Sequence, residues 1–337
     1  MRRPENALKG LAPAPGWDER YDWAGFIPYE ELPRAFNPTS GRIITANQKI
    51  VPPGYRHHIT AEWQPPYRAL RIADLLAATK RHDRASFARM QMDVLSLAAR
   101  QLLPRMLRAV AKSAEARDVL KQLAAWDGTM AAERAEPLIF IAWWREFARA
   151  LYADELGPAF RGAWSERAVF TNRVLAGQTR WCDDVRTPAV ESCPELLGTS
   201  LERALEDLKR RYGSDWRWGA AHQAVARHRP LTRSWLRRYF DIRVPSGGDG
   251  YTLNVGGMEW ADEAEPFANH HAASLRAIYD LADPEASLFI HPTGQSGNPL
   301  SRHYRDLTPL WARGDYIPMI TDRARLQGAQ RLVLKPR

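Results

Sequence analysis

Four histidines stand in two adjacent pairs, His57 with His58 and His270 with His271, and imidazole is a common metal ligand. Neighbouring residues on a helix or strand point in different directions, and no partner at H-E-x-x-H spacing accompanies either pair. They read as surface or hydrogen-bonding histidines. His222 and His228, near Trp216 and Trp218, read as structural groups that pin a loop. Gly294-Gln295-Ser296-Gly297, with His291, His303 and Asp306 nearby, holds the residue types of a serine hydrolase. Glycine directly follows the serine and no helix begins there, so this is not the G-x-S-x-G nucleophile elbow. A tight turn whose Ser296 hydroxyl bonds the backbone is the preferred reading, and a triad built on Ser296 is the alternative. Gly247-Gly248-Asp249-Gly250 lacks the lysine and the strand-to-helix setting of a phosphate cradle and reads as a turn.

Cys182 and Cys193 are the 2 cysteines of the chain, too few for a disulfide scaffold and wrongly spaced for a C-x-x-C redox or zinc site. The loop between them contains Pro188 and could be closed by one disulfide, which would suit an oxidising compartment such as the periplasm. Two reduced, buried thiols are the other reading.

The elements that must carry these residues fall into three stretches. Residues 1–66 hold a turn-rich wrapping segment, in which Pro13, Pro15, Pro28, Pro33 and Pro38 separate Trp17, Tyr21, Trp23, Phe26 and Tyr29. Within it, Arg42-Ile43-Ile44-Thr45-Ala46 predicts a short β-strand, because it is β-branched and bounded by Ser40-Gly41 and Asn47-Gln48-Lys49. Residues 67–245 predict mainly helix, with apolar stripes such as Phe87, Met90, Val94, Leu97 and Ala98, and again Leu201, Ala204, Leu205 and Leu208. Pro137 to Leu151 is apolar almost all round, the mark of a buried central helix. Residues 246–337 predict strands at Tyr251 to Val255, Ser274 to Leu281 and Ser287 to Ile290, the last two joined by a turn at Asp283-Pro284.

Composition fits a folded globular chain: 337 residues, 45% hydrophobic and 26% charged, with 13 Trp and 24 Pro. Net charge is +9, but acids are interleaved with the bases and the densest basic groups are short, which argues for a solvated arginine-rich surface and against nucleic-acid binding. No apolar run is long enough to span a membrane as a helix. Met1-Arg2-Arg3-Pro4-Glu5 leads into polar and turn-forming residues, so the start is expected not to be a signal peptide.

Several segments, in the same order along nearly the whole chain, resemble the penicillin acylase family of N-terminal-nucleophile hydrolases, which includes acylases of β-lactams and of N-acyl homoserine lactones. Phe36-Asn37-Pro38-Thr39-Ser40-Gly41-Arg42-Ile43-Ile44-Thr45-Ala46-Asn47 is similar to N-P-x-x-G-x-I-x-T-A-N-N, and Trp63 to Ile72 to W-x-x-x-Y-R-x-x-R-I. Trp216-x-Trp218-Gly219-x-x-His222, Gly247-Gly248-Asp249-Gly250-Tyr251-Thr252 and Gly294-Gln295-Ser296-Gly297 with Ser301-x-His303-Tyr304-x-Asp306 complete the set.

The resemblance implies an α+β fold, part of the αββα four-layer sandwich with a long helical insertion. It also implies an amidase that cleaves linear amides with an amino-terminal serine, whose own α-amine is the base. Asn47 falls where the family's oxyanion-binding asparagine lies, and Arg68 where an arginine orders the catalytic groups. Gln48 stands in place of the motif's second asparagine, and no Ser-Asn dipeptide, the usual head of the large chain, occurs. The chain therefore reads as the carboxy-terminal part of the large chain, inactive alone. Its expected partners are a small chain, the first part of the large chain and a small-molecule amide. No cofactor is expected here, since the calcium ligands of relatives lie in those other parts. An incomplete sheet would expose strand edges and apolar surface unless a partner covers them. Family members are exported, so a periplasmic site and roles in quorum quenching or antibiotic metabolism follow by resemblance. A noncatalytic binding module of the same fold is the alternative.

Overall fold

The computed structural model describes residues 3, 5–229, 231–326, 328 and 332–336; Met1, Arg2 and Pro4, in the start read as no leader peptide, lie outside the described residues. Two compact units divide the chain, Met1–Asp74 and Leu75–Arg337.

The first unit is mostly irregular, as its prolines dictate. Single 3₁₀ turns occur at Glu19–Tyr21 and Tyr29–Glu31, and helix α1 (Tyr67–Ala77) begins within it. A tight turn at Pro38 to Gly41 needs left-handed backbone at Gly41 (φ 63°) and closes with a 2.9 Å bond from Gly41 N–H to Pro38 O. The expected strand at Arg42 to Ala46 does not form: the segment is irregular, and Ile43 is exposed. β-Branched residues favour a strand only when a neighbour supplies the ladder. Here the pairing reduces to one parallel bridge between Gln48 and Gln64. Trp17, Phe26 and Phe36 are 89%, 95% and 93% exposed, far from what indole and phenyl rings adopt in a finished core.

The second unit is built around helix α5 (Glu136–Leu156). After α2 (Arg84–Gln91), α3 (Leu97–Met106) and α4 (Ala114–Ala124) come α5, α6 (Phe160–Ala163), α7 (Ala168–Ala176) and α8 (Cys193–Tyr212). Serine hydroxyls of Ser96, Ser113 and Ser192 accept from the third backbone N–H of α3, α4 and α8, which fixes where each starts. As its composition predicts, α5 is buried: Leu138, Phe140, Trp143, Trp144 and Phe147 are inaccessible. The indole N–H of Trp143 donates to Leu197 O on α8 at 2.9 Å, and that of Trp144 to Thr171 Oγ1 on α7 at 3.0 Å, so neither ring leaves a polar atom orphaned. Gly198 on α8 admits the Val110 carbonyl where a side chain would collide with it. The Arg145 side chain, also buried, donates to Trp260 O and pairs with Glu146 and Glu263.

Beyond α8, the short helix α9 (Trp218–Ala221) leads into the antiparallel hairpin β1 (Gln223–Ala226) and β2 (Ile242–Pro245), with α10 (Arg237–Phe240) between them. Two-residue strands β3 (Gly256–Gly257) and β4 (His271–Ala272) pair, and β5 (Arg276–Ile278), β6 (Leu288–Ile290) and β7 (Ile317–Pro318) form an antiparallel sheet in that order. Helix α11 (Thr308–Arg313) packs Trp311 against Ala224 and Ile290. The expected strand at Tyr251 to Val255 is a buried turn. Asp249 claims its hydrogen bonds first: its Oδ1 accepts from Tyr251 N–H at 2.8 Å, its N–H donates to Thr252 Oγ1 at 2.9 Å, and its carbonyl accepts from Gly256 N–H at 2.9 Å. The unit thus mixes helices with small antiparallel sheets, an α+β composition.

Candidate functional site

Asn47 and Arg68, far apart in sequence, are neighbours in the first unit. Pro65 and Pro66 precede α1, whose first turn tolerates the missing N–H of proline, and Pro66 O accepts from Leu70 N–H at 2.9 Å. Arg68 therefore sits in the first turn of a rigid helix. Just before that turn, Gln64 N–H donates to Asn47 O at 2.9 Å and holds the 46–48 loop alongside the helix entry.

Arg68 Nη2 donates to Asn47 Oδ1 at 2.8 Å and to Ala46 O at 3.0 Å. A guanidinium has donors only, so the Asn47 atom that faces it must be the oxygen. This fixes the amide: Nδ2, with both its N–H bonds, is turned away from Arg68 and donates to nothing among the described residues. The cation on Oδ1 also draws electron density from the amide and makes those N–H groups better donors. Arg68 is half-buried, and desolvation lowers its pKa from the ordinary arginine value. Asn47 is exposed and adopts left-handed backbone, φ 65°, which asparagine tolerates better than most residues. An exposed, oriented, cation-polarised amide can hydrogen-bond an oxygen that gains negative charge during acyl transfer.

In sequence, Gln48 is only a departure from the family motif. Its side chain in fact closes the loop, accepting from Ala46 N–H at 2.6 Å through Oε1 and donating to Ile44 O at 3.3 Å through Nε2. A second amide directly beside Asn47 was the signal available.

The other candidates separate. Ser296 Oγ accepts from Asn298 N–H at 3.1 Å, the turn geometry expected of it. His303 Nδ1 does meet Asp306 Oδ2 at 2.7 Å, but its Nε2 accepts from Arg302 Nε at 3.0 Å, and no hydrogen bond joins it to the Ser296 hydroxyl among the described residues. The Ser296 triad is not assembled. His57 lies 2.5 Å from Glu31 Oε2, and His270 Nδ1 lies 3.4 Å from Arg227 Nη2. His222 is fully buried, meets Phe267 O at 2.7 Å and stacks on Trp218; burial pushes its pKa down to about 3, so it stays neutral and structural. Among the described residues no three His, Cys, Asp or Glu gather where a metal could be held. The sulfurs of Cys182 and Cys193 are bonded, with Cα atoms 5.0 Å apart, tying the 3₁₀ turn Thr179–Cys182 to the start of α8.

Two buried carboxyls belong to no site foreseen in the sequence. Glu166 Oε2 and Asp249 Oδ2 are both sealed from solvent without a hydrogen-bond partner among the described residues. Part of Glu166 remains accessible, yet desolvation of its carboxyl and the nearby Asp249 charge push its pKa up to about 8. Desolvation raises Asp249 to about 6.

Comparison with known proteins agrees with the motifs. The family model described as Penicillin amidase matches residues 1–328. An acyl-homoserine lactone acylase, QuiP, of Pseudomonas aeruginosa is 32% identical over 97% of this chain and 43% of its own length. A penicillin acylase 2 proenzyme of a Pseudomonas species is 30% identical over 92% of the chain and 40% of its own length. The chain thus spans less than half the length of these curated relatives. In fold, it is similar to the solved thermostable penicillin G acylase of Alcaligenes faecalis, with a TM-score of 0.59 and 16% identity over 100% of this chain and 64% of that one.

Proposed function

The chain belongs to the penicillin amidase family, and we propose that it is the carboxy-terminal part of the large chain of an acylase that hydrolyses linear amides. Asn47 is the oxyanion donor and Arg68 the residue that orients it. The amino-terminal serine and its α-amine are supplied by the remainder of the enzyme, in keeping with relatives more than twice as long and with the lack of a Ser-Asn dipeptide in these residues. The remainder also completes the four-layer sandwich and holds any calcium. The Cys182–Cys193 bond favours an oxidising compartment, the periplasm.

One observation carries the reading: the 2.8 Å bond from Arg68 to Asn47 Oδ1, which leaves Nδ2 as a free, oriented donor. In the reaction, serine Oγ attacks the amide carbon and its proton passes to the α-amine. Charge then gathers on the former carbonyl oxygen, where Asn47 Nδ2–H meets it. Collapse of this intermediate expels the amine, which takes the proton back from the α-ammonium, and water, giving a proton to the freed α-amine, releases the acyl group and the serine through a second oxyanion at the same donor.

N-acyl homoserine lactones and penicillins share an exocyclic linear amide, the bond proposed to break. The test joins this chain to the amino-terminal portion of the Pseudomonas aeruginosa relative and follows release of homoserine lactone, and separately of the penicillin nucleus. Turnover that falls about 10²- to 10³-fold in Asn47→Ala supports the assignment. Turnover unchanged in Asn47→Ala removes Asn47 from the mechanism, and no turnover in the assembled, self-cleaved enzyme favours the noncatalytic module.

A further inference from the structure

Asn47 is held in left-handed backbone, φ 65°, on an exposed loop that lacks the strand expected there. Asparagine tolerates that conformation, but the aim of its side chain is set only where the flanking backbone is held. Arg68 anchors the Asn47 side chain and Ala46 O, and Gln64 the Asn47 carbonyl, but neither bonds Ala46 N–H or Ile44 O. The Gln48 amide does. Its Oε1 takes the Ala46 N–H at 2.6 Å and its Nε2 reaches Ile44 O at 3.3 Å, so one side chain bonds the backbone on either side of Thr45. In a strand, a neighbouring ladder would satisfy these two backbone groups; here a single side chain does so.

From this arrangement we infer that Gln48 is a positioning residue for the oxyanion donor: its amide replaces the missing ladder and holds the 44–47 backbone so that Asn47 Oδ1 reaches Arg68 and Nδ2 faces the reacting oxygen. The inference rests on the proposed role of Asn47 and deepens it. Gln48 need not touch substrate. Its work is to limit the positions open to the neighbouring amide, and loss of an ångström in donor placement weakens transition-state stabilisation more than ground-state binding.

The test uses two variants, Gln48→Leu, which keeps bulk without polar atoms, and Gln48→Asn, which restores the amide found in the family motif. Crystal structures of the chain should show Asn47 out of the left-handed region, and the bond to Arg68 broken, in Gln48→Leu but not in Gln48→Asn. In the assembled acylase, kcat should fall about tenfold in Gln48→Leu with KM within twofold of wild type, and Gln48→Asn should recover most of it. An Arg68–Asn47 bond unchanged in Gln48→Leu overturns the inference. So does a rise in KM matching the fall in kcat. Failure of the underlying reading looks different: activity then survives Asn47→Ala, whatever the crystal structures show for Gln48.

Discussion

Arg68 Nη2 lies 2.8 Å from Asn47 Oδ1 and 3.0 Å from Ala46 O, so a single guanidinium nitrogen grips both the side chain and the backbone of one short loop. The prediction follows from geometry as well as charge. Lysine at position 68 can supply the cation but not the rigid, planar donor geometry of the guanidinium, whereas alanine supplies neither. In the assembled acylase Arg68→Lys should lose about 10-fold and Arg68→Ala about 10²-fold in kcat, with KM little changed. Steady-state kinetics on an N-acyl homoserine lactone decide this, and equal losses for the two variants would count against an orienting role.

The Glu166 and Asp249 carboxyls should make the stability of the chain depend on pH. Both folded pKa values are raised, Glu166 to about 8 and Asp249 to about 6, from 4.5 and 3.8. The folded state therefore holds protons that the unfolded state has released, and the stability this provides is full below about pH 4 and lost as pH rises toward 8. No cation contributes to either shift. Asp93 O accepts from Asn254 N–H at 2.9 Å, Trp218 Nε1 donates to Gly248 O at 2.9 Å and Arg276 Nη2 donates to Asn254 Oδ1 at 2.8 Å, while the Ser96 hydroxyl opposes the rise at Asp249. Thermal melts from pH 5 to 9 should show a decline that Glu166→Gln flattens, with the variant more stable than wild type at pH 8. Parallel curves would show that Glu166 titrates normally.

Reduction of Cys182–Cys193 should loosen the connection between the Thr179–Cys182 turn and α8 without erasing the helical core. Closing so short a loop contributes roughly 2 to 3 kcal/mol. Denaturant titration of Cys182→Ser with Cys193→Ser against wild type measures the loss directly. A midpoint that does not move, together with free thiols in protein purified without reductant, would reject the bond.

Gly198 lets the Val110 carbonyl approach α8 to where a side chain would overlap it. The Val110 N–H also donates to Pro194 O at 2.9 Å, which holds the loop close. Gly198→Ala should cost about 1 to 3 kcal/mol, since a methyl group there must push backbone aside. Chemical denaturation monitored by far-ultraviolet circular dichroism reads this. A neutral result would mean that the loop can lift off α8 freely.

What could be read from the sequence follows from how local its cause is. Helix α5 was legible because Ile139, Phe140, Trp143, Trp144 and Phe147 leave no polar face, which only burial explains. The strands at Ser287 to Ile290 and within Ser274 to Leu281 were legible for the same reason, as was the turn at Pro284 that joins them. The strand at Arg42 to Ala46 failed because pairing is a property of two segments, and Ile43 and Ile44 carry only a preference. Alternation at Tyr251 to Val255 was overruled by the side chain of Asp249, outside that window. The β1 and β2 hairpin passed unseen, since Ala224 and Val225 or Ile242 and Val244 make runs too short to signal. Asn47 and Arg68 were found through resemblance to a family and not through spacing. Their contact spans the bend at Pro65-Pro66, which periodicity does not encode.

The exposed rings of the first unit give the chain an optical property. Trp17 and Trp23, with Trp235 of the second unit, lie in water while Trp143, Trp144, Trp218, Trp260 and Trp311 are enclosed, so indole emission divides into a red, quenchable population and a blue, protected one. Iodide should silence the first and spare the second. A remainder of the enzyme that settles over residues 17 to 36 should shift the Trp17 and Trp23 share of that red emission to shorter wavelength and shield it from iodide, which reports assembly without a label and before any substrate is added.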